Sequence, residues 1–287
     1  MELVWSDGLR QDNDIMKQLA RSTPYDNAFE GFDTALMRRY RELSYGEDIG
    51  QHSWTSAEEL RELCIGIGRH TEVIDLGCGA GGPLTFIAES SGCAGIGIDI
   101  SEAAVESARK RVEQKGISDR VSFCQADCNE TLPLAGHSFD VAISIDVILH
   151  LQDRCKFVSQ VGRLIKPGGQ FIFTDAGVLT GTMTEEERQR RTLFGYTTFV
   201  PTRVNEEAIT RSGLVIKSVL DSTNRLIKNA SGRLRARQIL SAELLAIEGP
   251  DKFRKQNNYL ETILELAERR VLSRYSYTAG TREPTSV

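Results

Sequence analysis

The ten residues VIDLGCGAGG, 73 to 82, set the carboxylate of Asp75 near the end of an apolar run and place four glycines directly behind it. Glycines permit unusual backbone dihedrals and let a ligand lie against the main chain without meeting a Cβ. A second acid, Asp99, closes the next apolar run, where a carboxylate can accept from both hydroxyls of a ribose. So far the pattern fits any nucleotide-like ligand. The acid ahead of the glycines separates the candidates: it would repel a pyrophosphate seated on helix-end amides and would attract a cationic group.

Short β-branched runs and helical stretches alternate around these residues. EVIDL (72–76), GIGIDI (95–100), RVSFCQ (120–125), FDVAISI (139–145) and QFIFTD (170–175) are expected to be strands buried on both faces. Pro83 suits the first turn of the helix PLTFIAES, and Ser101 is placed to cap EAAVESARKRVEQK, which stops at Gly116. Phe157, Val158, Val161, Leu164 and Ile165 form one apolar stripe, expected to end at KPGG (166–169). This alternation implies a parallel sheet wrapped by helices, with ligands bound at the carboxyl ends of its strands. S-adenosylmethionine has a ribose, an adenine, a sulfonium and an ammonium, and lacks phosphate. Asp75 beside its ammonium, the Gly77–Cys78–Gly79 turn against its amino-acid portion, and Asp99 on the ribose would account for the unusual residues together, with Ile100 a further residue at the cofactor.

Composition narrows the class. The 287 residues are 40% hydrophobic and 26% charged, with a net charge of −5, which advertises neither a nucleic-acid nor an anionic-membrane partner. MELVWSDGLRQDND does not read as a signal peptide, and no apolar run reaches the length of a membrane span. The six cysteines, at 64, 78, 93, 124, 128 and 155, form neither CxxC pairs nor a dense framework, so a reduced, cytoplasmic setting is expected. Cys124 and Cys128 read as packing residues in preference to a redox pair. Four histidines with no ligand spacing give a catalytic metal little support.

VIDLGCGAGG, GIGIDIS, QADCNETLPLAGHSFDVAISIDVILHL and LIKPGGQFIFTD, in this order, resemble the successive motifs of class I S-adenosylmethionine-dependent methyltransferases of the small-molecule type, such as the sarcosine, phosphoethanolamine and tocopherol enzymes. The resemblance implies an α/β, Rossmann-like, seven-stranded and mostly parallel sheet with helices on both faces. SRYSYTAG (273–280) would be its antiparallel strand and GLVIKSVLD (213–221) the neighbour. It also implies an N-terminal helical lid over 1–70. The methyltransferase domain would span 71–287, with a cap insertion at 176–203 after the fifth strand and a helical insertion at 229–272. Asp127 would hydrogen-bond the adenine amino group, with Ala126 and Cys128 lining that ring, and Asp140 would be structural.

Methyl transfer is an in-line displacement, so alignment in a closed site matters most, and an acceptor amine or hydroxyl must also lose a proton. His150, just after the fourth strand, stands where many small-molecule relatives carry a histidine near the acceptor; it is read as the catalytic base, against the alternative of a satisfied structural histidine. Asp146 on the same strand end would face cofactor or substrate. Tyr45, His52 and Trp54 would line the substrate pocket, or Trp54 would staple the lid to the core. Relatives of the tocopherol type carry paired histidines where this chain has GQHSW. Tyr196 would join the pocket, and the tyrosines at 25, 40, 45 and 196 would suit an ammonium if they converged. Thr184 is placed to cap TEEERQRRTLF, and RLRAR (233–237) reads as a solvated helix face, with anion binding the lesser option.

SIDVILHL replaces the proline-proline-aromatic motif of DNA enzymes, and no basic tract suggests RNA. A small metabolite or natural product is therefore the expected acceptor, methylated at N, O or C. Two other readings stay open from sequence: an NAD-dependent oxidoreductase, and a non-catalytic S-adenosylmethionine-binding regulator. Lid contacts in related enzymes leave a homo-oligomer open as well.

Overall fold

The β-branched runs pair into one sheet. A computed structural model, describing residues 25–29, 31–192 and 195–282, contains the strands β1 (Glu72–Leu76), β2 (Ala94–Asp99), β3 (Val121–Gln125), β4 (Phe139–Ile145), β5 (Ile165–Leu179), β6 (Val200–Pro201), β7 (Val215–Asp221) and β8 (Leu272–Gly280). Their order is β3-β2-β1-β4-β5-β8-β7, with β6 added beside β5. Neighbours from β3 to β6 pair in parallel, and β8 runs antiparallel between β5 and β7. The seven expected strands are all present; the eighth, β6, is a two-residue addition from the cap segment.

Alternation along the strands loads both faces. Ile74 and Leu76 join Ala142 and Phe173 in one apolar cluster, while Val73 joins Val141, Ile143 and Ile145 in another on the opposite face. Helices Gly82–Ser91 and Glu102–Gln114 cover the second cluster, and Arg154–Leu164 covers the first. The Ser101 cap forms as expected, its Oγ accepting from the Ala104 amide at 3.2 Å.

KPGG is not the break that was expected. The helix ends at Leu164, and Ile165 is already extended and paired with Phe139. The register then steps to Val141 opposite Gln170, with Gly168 at φ +81° between. Burial of Ile165 outweighs the local turn chemistry. At the other end β5 runs past Asp175 to Leu179, paired with Leu272, so residues 176–179 belong to the sheet and not to the cap.

Among the remaining helices, Val204–Arg211 adds to the cover of the first cluster and Ala57–Leu63 to that of the second. Within the expected N-terminal lid the helices are Asp26–Phe29, Ala35–Tyr45 and Ala57–Leu63, residues 1–24 of that segment lying outside the described residues. Thr184 caps Glu185–Arg191 through a reciprocal capping box with Glu187, while Leu193 and Phe194 of the expected helix lie outside the described residues. The charged C-terminal stretch starts earlier than expected, as Thr223–Ile239, and continues as Ser241–Glu268, broken at Gly249 before Pro250. Its inner face packs Leu226, Ala230, Leu260 and Ile263 around Trp54.

RLRAR is not a solvated face. Arg233 and Arg237 are buried and only Arg235 is exposed, because 226, 230, 233 and 237 recur at helical spacing along the stripe that faces the fold. Among the described residues no helix is long and apolar enough to cross a membrane.

Candidate active site

A cavity of about 230 Å³ opens at the carboxyl ends of β1, β2 and β4, where the strand order reverses. The glycine turn forms its inner wall. Gly77 leaves β1 at φ +79°, and the amides of Gly77 and Cys78 both donate to the Ile98 carbonyl, at 2.7 and 3.0 Å, which ties the turn to β2. A Cβ on Gly77 would meet Val147, and one on Gly82 would meet the Ile49 and Gly50 carbonyls. These two glycines are therefore required by the protein's own packing, in addition to any ligand.

Asp75 is 1% exposed, lines the cavity, and its Oδ2 has no hydrogen-bond partner. Burial, reinforced by the Asp99 charge, pushes its carboxyl up to about 8. A buried carboxylate without a partner is costly, and an incoming ammonium would supply the missing charge and donors. Asp99 is braced by the Gly79 amide at 2.8 Å and the Ser101 amide at 2.9 Å, and burial raises its carboxyl as well. Asp127 accepts at Oδ1 from both nitrogens of Asn129, at 2.8 and 2.9 Å. These three acids end or follow β1, β2 and β3 and face one cavity.

Gly77, Cys78, Gly79, Ile100 and Cys128 also line this wall. Burial raises the thiols of Cys78 and Cys128, so both stay protonated and unreactive. Ala126 does not reach the cavity; it packs against the apolar core while its amide donates to the Asp99 carbonyl at 2.9 Å.

Asp146 occupies a left-handed φ of +58° and is fully engaged by protein. Oδ1 accepts from Arg274 Nε and Thr174 Oγ1, each at 2.8 Å, and Oδ2 from the Trp54 amide at 2.8 Å. Its carboxylate organises the cavity floor instead of facing a ligand with spare acceptors.

His150 ends a 3₁₀ turn, Ile148–His150, and its ring meets Tyr25 edge-on at 5.6 Å. Its Nδ1 lies 2.8 Å from the Tyr196 carbonyl, which can only accept, so the proton sits on Nδ1 and Nε2 keeps its lone pair. Burial lowers the imidazole below its ordinary value. A neutral ring with a bare Nε2 on the cavity wall is equipped to take a proton.

The other sequence-selected pocket residues divide. His52 and Trp54 line the cavity, and Trp54 packs in the helical cluster too. His52 stands between Phe29, Phe32 and cavity space, and remains exposed. Tyr45 instead lines a neighbouring cavity of about 360 Å³, its hydroxyl donating to the Ser53 carbonyl at 2.8 Å. Tyr196 is 46% exposed and contributes its carbonyl, not its ring. The four tyrosines do not converge: of Tyr25, Tyr40, Tyr45 and Tyr196, only Tyr25 lines the first cavity.

Sequence reading missed Arg191, Gln256 and Tyr259 on the outer wall, and reached Arg233 only through the lesser, anion-binding reading of RLRAR. The signal available was the apolar spacing on which Arg233 falls. Among the described residues no group of three or more His, Cys, Asp or Glu is placed to hold a metal ion.

Comparison with known proteins agrees with this geometry. The methyltransferase-domain family matches residues 67–211. The chain is 34% identical to the methyltransferase GfsG of Streptomyces halstedii over 72% of its own length and 70% of that protein. It is 32% identical to the 27-O-demethylrifamycin SV methyltransferase of Amycolatopsis mediterranei, over 52% of this chain and 56% of that one. Among solved structures, phosphoethanolamine N-methyltransferase 2 of Haemonchus contortus, in complex with phosphomonomethylethanolamine and S-adenosylhomocysteine, superposes with a TM-score of 0.75 at 21% identity, covering 89% of this chain and 61% of that one. With a sheet order that reverses beside β1, an unpartnered acid ahead of a glycine turn, and a relative matched over most of both lengths, the chain belongs to the class I S-adenosylmethionine-dependent methyltransferases.

Proposed function

We propose that this chain transfers a methyl group to a small metabolite or natural product, with the cofactor held along the inner wall and the acceptor between His150 and the helical cover. The reading rests chiefly on Asp75, whose buried, unpartnered Oδ2 belongs to the cavity that Asp99, at the end of β2, and Asp127, just after β3, also line. When bound, S-adenosylmethionine supplies an electrophilic methyl on a sulfonium.

Asp75 receives the ammonium, the Gly77–Gly79 turn cradles the amino-acid portion, and Asp99 accepts from the ribose. Asp127 would accept from the adenine amino group, with Ile100 and Cys128 lining the cofactor site. His150 takes the acceptor's proton at Nε2, and its Nδ1 bond to the Tyr196 carbonyl fixes the ring for that task. The described parts of the 25–63 and 180–203 segments and the two C-terminal helices exclude water. Relatives named as acting on rifamycin and on sarcosine and dimethylglycine support a small acceptor.

Isothermal titration tests the reading: S-adenosylhomocysteine is expected to bind at micromolar strength and NAD⁺ not at all. Retention of NAD⁺ without binding of S-adenosylhomocysteine would overturn it.

A further inference from the structure

Six arginines are buried among the described residues: 41, 154, 191, 233, 237 and 274. Four are matched to carboxylates: Arg41 to Asp48 at 2.6 Å, Arg154 to Asp175 at 2.6 Å, Arg237 to Glu248 at 2.6 Å, and Arg274 to Asp146 at 2.8 Å. Arg191 and Arg233 have no carboxylate within ion-pair distance among the described residues, and these are the two that line the active-site cavity.

Neutral groups hold them in place. Arg191 donates to the Tyr259 hydroxyl at 3.2 Å and the Ala176 carbonyl at 3.3 Å, and its buried Nε is left without a partner. Arg233 donates to the Tyr40 hydroxyl at 3.1 Å and lies 4.6 Å above the Trp54 ring. Trp54 and Tyr259 pack 6.3 Å apart, and Arg191 lies 5.4 Å from the Tyr259 ring centre. The outer wall is thus a row in which two cations bracket an aromatic pair.

A buried cation without a counterion is unfavourable, and four of the six sites avoid that state. All four carboxylates on the cavity wall, Asp75, Asp99, Asp127 and Asp146, stand on the sheet side, and Asp146 is already neutralised by Arg274. Among the described residues no carboxylate supplies the charge missing from the outer wall, and an anionic group on the ligand would supply it. We infer that the methyl acceptor carries a carboxylate or phosphate group, received by Arg191 and Arg233, on an apolar body that lies against Trp54 and Tyr259. The inference rests on the methyltransferase reading and gives it a substrate class. It also disfavours a free amine with no anionic group, which two cations would repel.

The test uses the S-adenosylhomocysteine-loaded protein titrated with two matched pairs, cinnamate against cinnamamide and phenyl phosphate against phenol. At least one anion is expected to bind about ten-fold or more tightly than its neutral counterpart, the size of one charge-assisted hydrogen bond, and the favoured pair tells carboxylate from phosphate. Arg191→Gln and Arg233→Gln should each remove most of that preference while S-adenosylhomocysteine still binds, which also shows that the variant is folded. Lysine at either position should restore part of it, and Arg235→Gln, exposed on the same helix, should leave it intact. Equal binding of neutral and anionic probes, no binding of either anion, or a preference that survives both glutamine substitutions together would overturn the proposal with the methyltransferase reading untouched. Failure of S-adenosylhomocysteine to bind the unmodified protein would instead remove that reading, and this proposal with it.

Discussion

Arg274 and Asp146, 128 residues apart in sequence, meet at 2.8 Å with both side chains withdrawn from water. Arg274 also donates to Glu59 Oε1 at 2.7 Å and to Thr55 Oγ1 at 2.6 Å. Since Asp146 accepts from the Trp54 amide, a single guanidinium joins β8, the end of β4 and the 54–59 segment that covers the site.

Removing that guanidinium strands two buried carboxyls. Arg274→Met should lower stability by about 3–5 kcal/mol, the range for breaking a buried pair from one side. Chemical denaturation checks this. Asp146→Asn combined with Arg274→Met should cost less than the sum of the two single changes; full additivity would mean the pair is not coupled.

Asp75 makes stability and cofactor affinity run in opposite directions with pH. Its folded value of about 8 lies above the ordinary 3.8, so the folded state holds the extra proton between those limits. The ligand-free protein should therefore lose stability as pH rises from about 4 to about 8, and Asp75→Asn should flatten that slope. Thermal midpoints of the ligand-free protein at pH 5 and pH 8 measure it. The same proton must leave when an ammonium is received, so the enthalpy of S-adenosylhomocysteine binding at pH 7 should vary with the ionisation enthalpy of the buffer. Asp75→Asn should abolish that variation and weaken binding about ten-fold or more.

What the sequence disclosed and what it hid have separate physical causes. The strands were legible because fully buried parallel strands read as apolar runs. The acids at their carboxyl ends were legible because a carboxylate beside bare glycines is costly to bury unless a cation or donor comes to meet it. Ile165 was misread because KPGG looks like a stop, whereas pairing with Phe139 overrides it. Arg191 was hidden, and Arg233 was read chiefly as solvated, for a different reason. Each sits in a run of charged residues that taken alone suits a solvated helix, and only the tertiary arrangement shows that Arg191 and Arg233 face inward without a carboxylate. Arg274 gave no signal, since nothing in SRYSYTAG announces that Glu59 and Asp146 will converge on it.

His150 should act on turnover and not on cofactor binding. His150→Ala should lower kcat about 100-fold or more while S-adenosylhomocysteine affinity changes less than about three-fold. Because burial lowers its imidazole below the ordinary 6.5, the neutral form already dominates at pH 7. Its contribution to rate should be level above pH 6.5 and decline as acid protonates Nε2. A loss below about three-fold in kcat would mean that alignment of the reactants alone accounts for the rate.

Gly82 offers a test of how tightly the covering segment is held to the glycine turn. It opens the helix Gly82–Ser91, and a Cβ there would collide with the backbone carbonyls of Ile49 and Gly50, which have no soft end to yield. The Gly50 amide is already fixed by Asp48 Oδ1 at 2.7 Å, and Asp48 is held in turn by Arg41 at 2.6 Å, so the loop cannot retreat without breaking a partly buried ion pair. Gly82→Ala should therefore destabilise by about 1–3 kcal/mol despite alanine's better helix propensity, which favours the substitution by roughly 1 kcal/mol. Hydrogen exchange should show the loss concentrated in amides 46–56 and in the first turn of the helix. An alanine variant as stable as the parent would mean that the 49–50 loop moves freely, and the site would then have to be treated as open on that side.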